Sequence, residues 1–234
     1  MQYRAEATSI EGFVQQIACC YLRHGYWFFV TGRVPSGKNP HAVDEKLIKK
    51  YGIDVSESTR TRRKQAGRAN LQYLRHERFF VILATKGVHP FFDHEGESIR
   101  DIRRLPLRYA GYSISYRRGG LTRQGTTDSN WHAHVRLDRQ QYLNLRAELS
   151  DWALTASTAE LARALSTLPV AAYAPVRRQL LLLLRSVNRI RLAGGNPPIP
   201  TEVLPLRRRI VRPFERAERL LESPLQFKQW DSGD

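Results

Sequence analysis

The pattern of hydrophobic and polar positions predicts four β-strands. Segments 111–118 and 131–137 alternate between apolar and polar residues. Because successive side chains of a strand point to opposite faces, we expect these two to form an antiparallel hairpin with a long loop. Segment 26–34 is aromatic and β-branched, which is typical of a further strand. Segment 78–85 is apolar on both faces and is predicted to be a central, fully buried strand.

Other segments repeat their apolar residues with the period of a helix. We predict helices over 9–24, from Asn39-Pro40 to about Gly52, and over 56–76. Beyond Asp138 the pattern is mainly helical, and it is clearest over 175–195. Helices therefore dominate the C-terminal third of the chain.

Two connecting segments are less regular. Segment 86–97 (KGVHPFFDHEGE) is interpreted as a loop, and segment 98–110 as a helical start that ends at Leu105-Pro106. The order of elements is helix, strand, two helices, three strands and a helical C-terminal third. This order predicts an α+β fold with a largely antiparallel sheet and helices packed on it. We assign residues 1–152 to an α+β domain with a central sheet, and 153–234 to an Arg-rich helical region packed on the same core.

The charge of the chain points to a polyanionic partner. Lys and Arg number 38 against 22 Asp and Glu, which gives a formal net charge of +16 and a pI of about 10.4. A folded chain this basic repels itself, and binding to a polyanion relieves that repulsion. Nucleic acid, either DNA or RNA, is the polyanion that we expect, because each neutralised phosphate releases a condensed counterion. The alternative is a generally basic surface with no dedicated partner.

Cysteine usage and hydropathy exclude some other classes. The only two cysteines, Cys19 and Cys20, are adjacent, and a disulfide between neighbours is strained. No CxxC pair is present, which excludes a zinc site built from thiolates of one chain. The chain contains no run of about 18 apolar residues, the length that a helix needs to cross a bilayer. We therefore expect a cytoplasmic protein without a membrane partner.

The positive charge is concentrated in two clusters that are rich in arginine. The predicted helix 56–76 carries Arg60, Arg62, Arg63, Lys64, Arg68 and Arg75, and we define the first five of these as the first basic cluster. The second basic cluster lies within 177–219 and includes Arg177, Arg178, Arg185, Arg189, Arg191, Arg207, Arg208, Arg209, Arg212, Arg216 and Arg219. Arginine makes bidentate contacts with phosphate and stacks on bases, so both clusters are predicted to bind nucleic acid. The alternative for each cluster is a solvated helix face paired with acids from elsewhere in the chain.

Aromatic residues near these clusters have two possible roles. Tyr73, Tyr173 and Phe214 could stack on unpaired bases. They could equally supply buried area to the core, as aromatic side chains do in most domains.

His132 and His134 form a candidate metal-binding pair. Residues i and i+2 of a strand share a face at a separation of about 7 Å, so Arg136 lies on the same face. The opposite face, which we expect to point into the core, consists of Trp131, Ala133, Val135 and Leu137. Two imidazoles on one sheet face can hold a divalent cation if a third ligand approaches. The alternative is a partly exposed pair that contacts backbone, phosphate or solvent.

The His132-Ala133-His134 triplet, its strand context and the order of elements resemble the HUH endonucleases. This family comprises rolling-circle replication initiators, relaxases and IS200-type transposases. The resemblance implies that His132 and His134 bind Mg²⁺ or Mn²⁺, which polarises a scissile phosphate. It also implies a tyrosine on a later helix that attacks single-stranded DNA and forms a phosphotyrosine link. The resemblance covers the triplet and its surroundings, not the whole chain.

The remaining parts of such a site are not fixed by the sequence. The third ligand would come from the loop after the central strand, from His89, His94 or Glu95. The nucleophile would be Tyr173, ahead of the Arg-rich helix, or Tyr142, which falls on an apolar stripe. Tyr173 is followed three residues later by Val176, where many replication initiators have lysine. With Asp93, the same loop residues form a second candidate site, and the alternative there is an ordinary polar loop.

Three functions are compatible with these observations. The first is a nucleic-acid-binding protein without catalysis, a component of a nucleoprotein complex or of DNA-processing machinery. The second is an HUH-like nickase, transposase or replication initiator. The third is a protein-interaction subunit, whose Leu-rich helix around 180–184 and tail 220–230 would contact partner chains.

Overall fold

A computed structural model describes residues 3–120 and 125–215 and shows the predicted α+β fold. The described residues divide into two compact units. The first unit extends to Leu107 and takes in Ile114–Ala133 and the segment from Val211. The second unit takes in Arg108–Ser113 and His134–Ile210. Arg216, Arg219 and the tail 220–230 lie outside the described residues.

Helices and strands are mixed in the first half of the chain, and three α-helices follow the last strand. The α-helices are α1 (Ile10–Gln15), α2 (Pro40–Lys50), α3 (Glu57–Gln65), α4 (Pro90–Glu95), α5 (Arg139–Thr155), α6 (Thr158–Ser166) and α7 (Ala174–Ala193). The strands are β1 (Phe28–Arg33), β2 (Leu71–His76), β3 (Phe79–Ala84), β4 (Arg100–Asp101), β5 (Leu107–Tyr109), β6 (Tyr112–Arg118) and β7 (Trp131–Leu137). After α1, the predicted helix over 9–24 continues as one π-helical segment, Gln16–Tyr21, and a 3₁₀ turn, Leu22–His24.

The predicted strands belong to two sheets. A four-stranded antiparallel sheet has the order β2-β3-β1-β4, and a three-stranded sheet has the order β5-β6-β7. Strand β3 is central in the first sheet, and five of its six residues are buried, as predicted for 78–85. Ile82 of β3 pairs with Val30 on one side and with Tyr73 on the other. These three residues belong to the core of the first unit.

The prediction of one helix over 56–76 is wrong beyond Gln65. Gly67 has a φ of 67°, in the left-handed region that ends helices. The chain then enters β2, all six of whose residues are buried. A two-residue turn at Glu77-Arg78 joins β2 to β3, with His76 opposite Phe79. The sequence LQYLRH (71–76) is compatible with a helix, but these residues form a strand because they pair with β3.

The interpretation of segments 86–97 and 98–110 is also corrected. Segment 86–97 contains α4, which Asp93, His94 and Glu95 belong to, and is therefore not simply a loop. Segment 98–110 forms the short strands β4 and β5 and no helical start. Both strands gain backbone partners in a sheet, which a short apolar pattern does not reveal.

The second unit is built around α5 and α7, which pack against each other. The side chain of Gln179 on α7 binds both backbone groups of Leu137 on β7, at 2.9 and 3.0 Å. The Tyr112 hydroxyl accepts a hydrogen bond from the backbone N–H of Ala171 at 2.9 Å. Helix α7 buries five residues of its predicted apolar face, Val176, Leu180, Leu183, Leu184 and Val187.

Candidate nucleic-acid interface

Helix α3 carries four of the five cations of the first basic cluster, and the fifth, Arg68, follows the helix. None of its nine residues is buried. The Ser56 side chain caps its first turn by accepting a hydrogen bond from the Thr59 N–H at 3.2 Å, and Gly67 follows its C-terminal end. The helix is therefore capped at its first turn and buries none of its residues.

The five cations of this cluster differ in exposure. Arg62, Lys64 and Arg68 are exposed, whereas Arg60 and Arg63 are half-buried. Arg63 donates a hydrogen bond to the Gly52 carbonyl at 3.1 Å. Within residues 3–120 and 125–215, none of the five forms an ion pair with a carboxylate.

The second basic cluster is split between exposed and packed arginines. Arg178, Arg185 and Arg189 are exposed on α7, and their spacing of seven and four residues places them on one helix face. Arg177 is half-buried and donates to the Ala172 carbonyl at 3.3 Å. Leu182, of the predicted partner-binding segment 180–184, is 46% exposed on the same helix.

Arg191, at the end of α7, has a structural role. It is 1% exposed, and its guanidinium donates four hydrogen bonds of 2.8–3.0 Å. The acceptors are the carbonyls of Ala153, Ala156 and Pro197 and the Thr158 hydroxyl. Two of these carbonyls belong to the last turn and cap of α5, where helix carbonyls lack intrahelical partners. Arg191 therefore closes the C-terminal end of α5.

The arginines after α7 also differ from one another. Arg207, Arg208 and Arg209 are all exposed, and the Arg208 guanidinium lies 4.6 Å from the centre of the Tyr173 ring. Arg212 is exposed and pairs with Glu215 at 2.9 Å. Such an exposed pair contributes little to stability.

The two histidines of β7 have different surroundings. The His132 ring is 56% exposed and its Nε2 lies 2.6 Å from Asp128 Oδ2. The Asn130 backbone N–H and the His132 ring together hold the pKa of Asp128 below its usual value. His134 is half-buried. The imidazole of His132 is therefore oriented by a carboxylate from the hairpin loop, which the sequence pattern did not identify.

The described residues do not complete a metal site around these histidines. No group of three or more His, Cys, Asp and Glu side chains within them is arranged to hold a metal ion. The third ligand that the HUH resemblance requires is thus not supplied by His89, His94 or Glu95 in this arrangement. The binding of Mg²⁺ or Mn²⁺ by His132 and His134 stays a prediction.

Tyr173, the predicted nucleophile, immediately precedes α7. It occupies the N-cap position and is 8% exposed, with the Arg208 guanidinium over its ring. Tyr73, another aromatic considered for base stacking, is fully buried and donates to Asp44 at 2.5 Å. Phe214 is half-buried. Tyr73 and Tyr173 therefore pack within the fold, and a catalytic role for Tyr173 stays a prediction.

The second candidate site gathers around Tyr51. His89 caps α4 by accepting a hydrogen bond from the Phe91 N–H at 3.0 Å. Burial, and then the charge of Arg63, lower the pKa of His89. The Tyr51 hydroxyl donates to Glu95, and Lys50 lies 3.8 Å from the same carboxylate. Within the described residues these contacts account for α4 as a capped, anchored helix.

Trp131 departs from its predicted place in the core. Val135 and Leu137 of the same strand face are buried, but Trp131 is 40% exposed. Its ring stacks on Tyr116 of β6, with centroids 5.7 Å apart and an angle of 21° between the planes. The strand pattern predicted the face correctly but could not show that the core ends before this residue.

Comparison with protein-family models, with curated proteins and with solved structures finds no match to this chain. No helix in the described part of the chain combines the length and apolar character needed to cross a membrane. The structure shows an α+β protein in which both basic clusters contain exposed cations.

Proposed function

We propose that this protein binds nucleic acid, DNA or RNA, and contacts the sugar–phosphate backbone through the exposed cations of its two basic clusters. The observation that carries the proposal is the state of α3. This helix buries no side chain, and Arg62 and Lys64 have no carboxylate partner within the described residues. It contributes concentrated charge and little packing.

Repulsion between the positive charges of this chain is unfavourable, and a bound polyanion reduces it. The chain carries a formal net charge of +16, and like charges close together repel. When a phosphate binds each cation, the repulsion falls and condensed counterions are released from the nucleic acid. Arginine adds bidentate geometry to that attraction.

Exposure and existing contacts determine which cations we expect to bind phosphate. Those that are exposed, with no ion pair or aromatic contact within the described residues, are Arg62, Lys64, Arg68, Arg178, Arg185, Arg189, Arg207 and Arg209. Arg60, Arg63, Arg177, Arg208 and Arg212 are half-buried or already engaged, so we expect smaller contributions from them. We do not expect Arg191 to bind phosphate, because its guanidinium already donates hydrogen bonds to α5 and neighbouring residues.

The proposal predicts strongly salt-dependent binding. Fluorescence anisotropy with short labelled single-stranded DNA, single-stranded RNA and duplex DNA measures the affinity at several salt concentrations. We expect log K to fall linearly with log salt, with a slope of about 0.9 per phosphate contact for duplex DNA and about 0.7 for single strands. No binding, or binding that does not change with salt, contradicts the proposal.

A matched pair of variants tests whether α3 is responsible. Arg62→Gln/Lys64→Gln removes two exposed charges from α3, and Lys46→Gln/Lys49→Gln removes two exposed charges from α2. The net charge changes equally in both. We expect the α3 variant to bind more weakly than the α2 variant. Equal losses would assign the binding to overall charge and not to this helix.

A further inference from the structure

Three aromatic rings of the first unit form a ladder that ends at the surface. Tyr116 lies between two indoles: its ring is 6.1 Å from Trp27, at an angle of 27°, and 5.7 Å from Trp131, at 21°. Tyr116 is 9% exposed, whereas Trp131 is 40% exposed. We define these three residues as the aromatic ladder, with Trp131 at its open end.

The Trp27 end of the ladder is fixed. The Trp27 indole N–H donates to the Leu22 carbonyl at 3.1 Å. The Arg103 guanidinium lies 4.4 Å from the Trp27 ring centre and 6.0 Å from that of Trp131. Cations over indole faces are attracted by the ring quadrupole. The ladder is therefore held before any ligand arrives.

Arg103 is itself held by a carboxylate. Its Nε and Nη2 bind Asp101 at 2.6–3.1 Å. Burial alone would raise the pKa of Asp101, but hydrogen bonds from the Arg103 side chain and backbone outweigh it and lower that pKa. The Arg103 side chain is thus locked in place beside the rings.

The chain around the ladder is basic. Arg104, which follows Arg103, and Arg118, two residues after Tyr116 and on the same face of β6, are exposed. The nearby acids are engaged: Asp101 with Arg103, and Asp128 with His132. A ligand that offers a flat ring to Trp131 and negative charge to these arginines matches both features.

We propose that the exposed Trp131 ring stacks on an unpaired base of a single-stranded nucleic acid. Every base has a π-face, so an aromatic platform with arginines beside it binds single strands with little sequence preference. In a duplex the bases are stacked on each other and do not present this face. The inference rests on the proposed function and adds to it the strand state of the ligand.

The test separates base contacts from phosphate contacts. The probes are a labelled single-stranded thymidine oligomer of about 12 nucleotides, within the site sizes of single-strand binders, and an abasic oligomer with the same number of phosphates. We expect the protein to bind the thymidine oligomer roughly fivefold to a hundredfold more tightly, the range found for single stacked bases. Tryptophan fluorescence should be quenched by the thymidine oligomer only.

Variants at the open end locate the effect. Trp131→Ala should lose the preference for the thymidine oligomer and keep its affinity for the abasic one, which also shows that the fold is intact. Trp131→Phe should retain most of the preference, because an aromatic face remains. Leu143→Ala, at a residue that is also 40% exposed, serves as the matched control and should behave like the unmodified protein.

The outcomes distinguish this inference from the proposed function. Equal affinity for the two oligomers, or a preference that survives in Trp131→Ala, overturns the inference while leaving phosphate binding in place. Failure to bind either oligomer at low salt overturns the inference, and failure to bind duplex DNA and single-stranded RNA as well overturns both. If a duplex of the same length is bound less tightly by Trp131→Ala than by the unmodified protein, the stacking of unpaired bases is also contradicted.

Discussion

Helices α3 and α7 are both rich in arginine, but their surroundings differ. Helix α3 buries no residue, and its cations form no ion pair within the described residues. Helix α7 buries six residues, and one of them is Arg191. The same residue type is therefore concentrated on a helix surface in one region and sealed inside the fold in the other.

The difference shows that a cluster of arginines in the sequence does not define one role. Arg191 donates four hydrogen bonds to groups that would otherwise lack partners. Arg75 is a second buried example: its Nε binds Asp44 at 2.9 Å and its Nη1 binds Glu6 at 3.1 Å. Arg191 and Arg75 differ from Arg62 because their guanidinium groups already bind partners within the fold. An arginine whose charge is not engaged in this way can bind a ligand.

The largest effect is expected from Arg191→Met. The change removes the Arg191 donors from the buried Ala153 carbonyl and the partly buried Ala156 carbonyl at the α5 end, and a buried group left without a partner costs about 1–3 kcal/mol. We expect a loss of about 3 kcal/mol in the free energy of unfolding, measured by urea denaturation followed by circular dichroism. Arg189→Met, at an exposed position of the same helix, should change it by less than about 0.5 kcal/mol. Equal effects would remove the distinction between the two arginines.

A smaller effect is expected where α3 ends. Gly67 has a positive φ of 67° and no atom near the position of an added Cβ, so Gly67→Ala adds backbone strain alone, about 1 kcal/mol. Gly37→Ala, where there is also no nearby atom and φ is ordinary, should show no such loss. Urea denaturation of the two variants compares them. If Gly67→Ala is as stable as Gly37→Ala, the left-handed conformation of Gly67 after α3 does not require glycine.

The charges of α3 should have a small effect of the opposite sign. Arg62→Gln/Lys64→Gln removes charges that repel their neighbours and make no ion pair within the described residues. We expect stability at low salt to stay equal or rise by up to about 0.5 kcal/mol, and the gain should shrink as salt screens the repulsion. Thermal denaturation at two salt concentrations measures it. A clear loss of stability would show that these cations are structural after all.

The smallest effect concerns His89. After burial, the charge of Arg63 lowers the pKa of His89, and Arg68 adds to the lowering. Arg68→Gln should therefore raise that pKa, which an NMR titration of the imidazole detects. Arg62→Gln is the control, because Arg62 is not among the groups that shift His89. An unchanged His89 pKa in Arg68→Gln would mean that the charge of Arg68, just beyond the end of α3, does not act on His89.

The sequence predicted the positions of helices and strands better than their tertiary pairing and the exposure of individual side chains. The central strand within 78–85, the hairpin strands and α7 follow from apolar spacing, because burial of a repeated face is a local property. The pairing of β2 with β3 is a tertiary property, and so the strand at 71–76 was predicted as helix. Arg191 could have been found, since it lies four residues after Val187 and seven after Leu184 on the buried stripe. The exposure of Trp131 has no comparable signal, because it depends on where the core stops.

The most direct test of the account is the salt dependence of nucleic-acid binding in the unmodified protein and in Arg62→Gln/Lys64→Gln. If the two α3 cations contact phosphates, the slope of log K against log salt should fall by about 1.4 for single strands, or about 1.8 for duplex DNA, in that variant. Lys46→Gln/Lys49→Gln should leave the slope unchanged. An α3 variant with the slope of the unmodified protein would contradict the central claim that α3 is a phosphate-binding surface.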